Sequence, residues 1–198
     1  MKIFGVVLVL ALMLPGTSFA ADKTKTNWCY NYNRQKKYDK AISACTDRIN
    51  SGKFAGIHLA IAYYDRGVAY GRTGKHDKAM ADFKMAISLN PSYAKAYDNL
   101  GYTYSLEDDY NQAIINYSKA IKFNRSDAHA YFNRAREYTK NGNKEKALKD
   151  LAEAVKIDSN YKKVAKTDQT LKPLREDPGF KAITKGSQNT GDSNSEEW

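Results

Sequence analysis

The stretch YYDRGVAYGRTGKHDKAMADFKMAISLNP, residues 63–91, decides the fold. Tyr63, Gly67 and Tyr70 precede a polar break, Arg72-Thr73-Gly74-Lys75-His76-Asp77. Ala79, Met80, Phe83, Ala86 and Ile87 follow it. Residues three and four apart share one face of a helix, so each side of the break reads as an amphipathic helix. The glycine-containing polar break between them reads as a tight turn.

The unit recurs along the chain. Tyr32, Tyr70, Tyr104 and Tyr138 hold equivalent places, as do Ala41, Ala79, Ala113 and Ala147, at intervals of 38, 34 and 34 residues. After Ala113 the apolar face returns as Ile114, Tyr117, Ala120 and Ile121. The segment from Ser51 to Gly56 lengthens the first unit and accounts for its longer interval. One helix pair cannot bury its apolar face alone, so a fixed period of this length implies a stack of hairpins.

Spacing and residue types together resemble the tetratricopeptide repeat family. Tyr63, Gly67, Tyr70, Ala79, Phe83 and Pro91 meet its pattern in one unit. The next keeps Tyr97, Leu100, Gly101, Tyr104, Ala113 and Tyr117 but has Arg125 in place of the closing proline. The third keeps Tyr131, Ala135, Tyr138 and Ala147, with Leu151 for the aromatic and Ser159 for the proline. The first is the most divergent: Trp28, Cys29, Tyr32, Ala41 and Cys45 fit, and Arg48 stands where the others have alanine. The resemblance implies an all-α, right-handed superhelical stack of hairpins whose groove is lined by the first helices. Small residues at Cys29, Gly67, Gly101 and Ala135 mark where paired helices approach most closely. The expected organisation is a divergent pair over 21–59, repeats over 60–93, 94–127 and 128–161, capping helices over 162–185, and a disordered tail over 186–198. In the capping segment, beyond Tyr161, Lys163-Val164 and Leu171 to Leu174 suggest a helix ending at Pro173, and Asp177-Pro178 a helix start.

The first twenty residues read as an export signal. Lys2 precedes an apolar run from Val6 to Leu14, a Pro15-Gly16 break and Ser18-Phe19-Ala20. Cleavage after Ala20 gives an exported chain, periplasmic or secreted; an uncleaved anchor is the alternative, though the run is short of the roughly 20 residues a span needs. The net charge of +10 becomes +9 once Lys2 is removed. This charge favours acidic proteins or an anionic envelope surface as neighbours. Nucleic acid is not expected, because the lysines are not interleaved with aromatics along one element.

No catalytic set stands out. His58, His76 and His129 lack metal-ligand spacing, and Glu107-Asp108-Asp109 reads as a turn, so neither enzyme activity nor a cofactor is expected. The resemblance places groove-facing residues at Tyr64 and Val68, at Lys95, Asp98, Asn99 and Tyr102, and at His129, Phe132, Asn133 and Arg136. The aromatics offer apolar contact and the asparagines offer amides to the backbone of a bound protein or peptide segment. A solvated groove with no ligand is the competing reading. In the same frame Cys29 and Cys45 sit on opposite helices at one height, which implies a disulfide, with buried free thiols as the alternative.

Overall fold

The structure is a computed structural model that describes residues 28–185. The expected export signal and tail lie outside the described residues. Within them the chain forms α1 (Trp28–Arg34), α2 (Tyr38–Asn50), α3 (Gly56–Arg72), α4 (His76–Leu89), α5 (Ala94–Leu106), α6 (Tyr110–Phe123), α7 (Ala128–Lys140), α8 (Lys144–Ile157), α9 (Tyr161–Thr167) and α10 (Pro178–Thr184). No strand occurs among the described residues. Each odd helix packs on the even helix that follows it, and each even helix on the next odd one, so the chain is an all-α solenoid.

The turns explain why each pair folds back. Lys36, Gly74, Asp108 and Gly142 hold one equivalent position with φ of 56°, 74°, 57° and 72°. Glycine enters this left-handed region at no steric cost; lysine and aspartate do so at some expense. The amide after that residue then donates to the carbonyl of Tyr32, Tyr70, Tyr104 or Tyr138 at 2.8–3.0 Å. This bond seals the helix end as a left-handed C-cap does. The following helix is capped by side chains in two cases, Asp109 accepting from the Gln112 amide and Asn143 from the Lys146 amide.

Inside each hairpin one pair of positions sets the contact. A Cβ on Gly67 would lie 2.7 Å from Phe83 Cε1, and one on Gly101 would lie 3.1 Å from Tyr117 Cδ1. In the third repeat the pair is Ala135 with Leu151, a smaller wedge against a larger floor. In the first hairpin the two positions are Cys29 and Cys45, and they form a disulfide with Cα atoms 5.3 Å apart. A covalent bond therefore stands where the next two hairpins use a glycine beneath an aromatic ring.

A second device ties neighbouring hairpins. Arg66 on α3 makes a two-pronged bond to Asp82 at 2.8 Å and donates to Thr46 Oγ1 of the preceding hairpin at 3.1 Å. Arg134 repeats this on α7, reaching Asp150 at 2.6 and 2.8 Å and Ser118 Oγ at 2.9 Å. Both guanidinium groups lie between two tyrosine rings, Tyr63 and Tyr70 or Tyr131 and Tyr138, at 5.4–5.8 Å. The repeat between has Leu100 and Asn116 in the same places. There Lys84 crosses from the preceding hairpin to lie over Tyr104 at 5.5 Å. Sequence reading did not single out these clamps, although Arg and Asp recur 68 residues, two periods, apart.

The C-terminal end differs from expectation in one element. α9 stops at Thr167, and Lys172–Leu174 is a separate 3-10 turn holding Pro173 in its first turn. Asp168 turns extended and its carboxylate accepts from the Thr170 and Leu171 amides, which starts a new turn and prevents one helix from running to Pro173. Asp177 caps α10 through the Gly179 and Phe180 amides, with Pro178 at the first position. Leu171, Leu174 and Phe180 bury themselves with Leu151 and Ala165 against the last repeat.

Candidate functional site

The odd helices α3, α5 and α7 touch one another in order along one side of the stack. Between them lies a cavity of about 440 Å³. Val68, Gly71 and Arg72 come from α3, His76 from the start of α4, Asp98, Asn99, Tyr102 and Leu106 from α5, and His129 from α7. Tyr102 is 45% exposed and Leu106 47%, so the wall presents two large apolar side chains to solvent.

The polar groups of the wall are held from behind. The Asn99 amide donates to the Tyr64 hydroxyl at 3.2 Å and to the Lys95 carbonyl at 3.0 Å. Tyr64 is itself wedged against Phe83 and Tyr93, with ring centroids at 6.0 and 5.0 Å. Burial, aided by the charges of Asp65 and Asp98, pushes its phenol up to about 12. His129 Nδ1 lies 3.1 Å from Asp98 Oδ2. That hydrogen bond holds the imidazole above its usual range despite its partial burial, so the pair favours a charged histidine neutralised by an aspartate.

The residues assigned from sequence separate into three groups. Val68, Asn99, Tyr102, Asp98 and His129 come together at the cavity. Lys95 is exposed one turn before Asn99, and Tyr64 supports Asn99. The third repeat departs from the expected open groove. Phe132 is only 4% exposed and stacks on Tyr161 at 4.8 Å, because α9 folds over it; it belongs to the core. Asn133 is buried beneath the His129 ring, 3.1 Å from Nδ1. Arg136 is taken up by Asp168 at 3.2 Å and lies 3.5 Å from the Thr170 hydroxyl.

One groove position escaped sequence reading. Asp65 occupies on α3 the place of Asn99 and Asn133, 34 and 68 residues on, and the period itself was the signal. Its side chain is buried, which pushes the carboxyl up to about 6 against the opposing pull of Arg48 and Lys95. Its carbonyl accepts from the Asn33 amide of the first hairpin at 2.7 Å. Among the described residues no cluster of three or more His, Cys, Asp or Glu is placed to hold a metal ion. No described helix is long and apolar enough to cross a membrane.

Three stretches match the tetratricopeptide repeat, residues 60–93, 83–115 and 128–161. No curated protein matches the chain. Among solved structures the chain is similar to MamA residues 41–end from Desulfovibrio magneticus RS-1, with 19% identity, a TM-score of 0.66, and coverage of 81% of this chain and 88% of that one. It is similar to YrrB, described as a TPR protein with an unusual peptide-binding site, at 20% identity and a TM-score of 0.57, covering 67% of this chain and 66% of that one. It is also similar to the first TPR of Spaghetti (RPAP3) bound to the HSP90 peptide SRMEEVD, at 18% identity and a TM-score of 0.54, covering 66% of this chain and 94% of that one.

Proposed function

The chain is a tetratricopeptide repeat protein, and on that premise we propose that it binds a segment of another protein, without catalysis, in the groove along α3, α5 and α7. One observation carries the reading. Tyr102 and Leu106 stand exposed on a cavity wall beside an Asn99 amide that Tyr64 fixes in direction. An apolar side chain of a ligand packs on the first two, and its backbone bonds to the amide. Val68 and Lys95 extend the surface, and Asn133 supports the His129 ring from beneath. That YrrB has a peptide-binding site and the RPAP3 repeat holds a peptide supports the class of ligand.

The test is selection of peptides on the immobilised chain from a random display library. Selected peptides should lose about tenfold in affinity, or more, on Tyr102→Ala and on Asn99→Ala, equivalent to at least ~1.4 kcal/mol each. Unchanged affinity in both variants sinks the groove reading. A second reading, attachment to an anionic envelope surface, draws on the charge of residues 28–185, where 29 Lys+Arg against 18 Asp+Glu leave +11. Vesicle binding lost on charge reversal at Lys36, Lys37 and Lys162, with peptide binding intact, would favour it. We place the action in an exported compartment, periplasmic or secreted, after cleavage at Ala20. The apolar run from Val6 to Leu14, followed by Pro15-Gly16 and Ser18-Phe19-Ala20, supports this, and a cystine suits an oxidising compartment.

A further inference from the structure

Building on the groove reading above, we infer that the chain's own segment 186–198 is a ligand of the groove and competes there with the external partner. That segment, GSQNTGDSNSEEW, carries Asp192, Glu196 and Glu197 and no lysine or arginine. It thus brings −3 to a body that carries +11 over residues 28–185. The complementarity has a specific address in the groove. Asp98 faces the His129 imidazole at 3.1 Å, and Asp65 is buried, so neither presents an open carboxylate to repel an acidic segment. Arg72 on the cavity wall and Lys95 one turn before Asn99 are exposed cations. Glu196 and Glu197 fit Arg72, and Lys95, about three helical turns away along the groove, adds to the attracting field. The indole of Trp198, adjacent in sequence, fits the exposed Tyr102 and Leu106.

The reach is sufficient. α10 packs on α8, α8 on α7, α7 on α5, and α5 on α3, which carries Arg72. Four interhelical steps of about 8–10 Å amount to about 32–40 Å. Thirteen residues, extended, span up to about 43 Å. Tethering also compensates for weak contacts. A short linker gives an effective concentration on the order of 1 mM, so a segment with an intrinsic Kd near ~1 mM fills the groove about half the time. The external ligand's apparent affinity then falls about twofold, by the population of open groove.

The chain has two tryptophans, Trp28 and Trp198, so Trp28→Phe in the full chain leaves Trp198 as the only indole. Its quenching by acrylamide, a neutral quencher, is compared at about 0.01 M and about 1 M salt, where the screening length falls from about 30 to about 3 Å. Docking predicts quenching at least about twofold weaker at low salt, independent of protein dilution. Arg72→Glu with Lys95→Glu should raise low-salt quenching to the high-salt level, and Lys149→Glu with Lys156→Glu should not. Glu196→Gln with Glu197→Gln should raise it likewise without touching the folded repeats. Equal quenching at both salts, loss only with the Lys149 and Lys156 reversal, or protection that disappears on dilution each overturns the inference. Library peptides give the separate readout: if they still depend on Tyr102 while Trp198 is equally quenched throughout, the groove reading stands and the tail inference fails.

Discussion

The first and second hairpins solve one packing problem by different means. In the second, Gly67 lets the Phe83 ring close on the α3 backbone, and shape together with the Arg66–Asp82 ion pair holds 17-residue α3 to 14-residue α4. In the first, α1 has seven residues and α2 thirteen, and the same two positions are joined by the Cys29–Cys45 bond. A short helix buries too little to be held by its own apolar face. The difference teaches that the contact position, rather than any residue type, defines the repeat, and that the hairpin with the shortest helix is the one fastened covalently.

The largest effect is expected where the two hairpins meet. Arg66→Leu strands the buried Asp82 carboxylate and frees Thr46, at a cost of about 4 kcal/mol in denaturant unfolding. Adding Asp82→Asn should recover most of this, since Leu100 and Asn116 occupy these places in the middle repeat. A double variant as unstable as the single one would show that the clamp is not interchangeable with the middle repeat's apolar version.

Removing the cystine comes next. Cys29→Ala with Cys45→Ala lifts the constraint on a loop of 16 residues, about 3 kcal/mol on the chain-entropy account. Hydrogen exchange should rise in α1 and α2 first and leave α5–α8 protected. Uniform loss of protection would mean that the first hairpin and the rest fold as one unit.

Gly67→Ala tests the steric half of the comparison. Its Cβ meets Phe83 at 2.7 Å, so about 2 kcal/mol of overpacking is expected. Phe83→Leu in the same chain should relieve it, because Ala135 with Leu151 is the third repeat's own version.

The smallest effect concerns Asp65, at the junction of the same two hairpins. Its carboxyl, raised to about 6 by burial, takes up a proton on folding as pH falls from about 6 to 4. That contribution is present below about pH 4, its unfolded range, and is lost as pH rises through 6. Asp65→Asn should therefore stabilise the chain at pH 7 by on the order of 1–2 kcal/mol and remove that part of the pH profile. A difference between wild type and variant that stays constant from pH 4 to 7 contradicts the assignment.

The helices and their pairing were legible because period and apolar spacing are sequence properties. Gly67 and Gly101 even disclosed which positions touch. The clamps were not, since an isolated arginine and aspartate read as solvated charges; only folding brings Arg66 to Asp82 and Arg134 to Asp150. In the middle repeat the expected Asn99 and Tyr102 lie on the cavity wall, whereas in the last Phe132 lies under α9 against Tyr161. That ring contact repeats Tyr64 on Tyr93 two periods earlier, so the period held it; only the turn at Asp168 departs from the period.

The bond between Cys29 and Cys45 also bears on how the molecule answers a pull. Tension applied through residues on either side of the pair passes through the two sulfurs and skips the 16 peptide units between them. About 55 Å of chain is thereby kept out of any extension. A single-molecule stretch of the oxidised chain should be shorter by that length than one made with reductant present. The short leading hairpin is then the inextensible one, and the longer hairpins, fastened only by shape and charge, are where the chain yields.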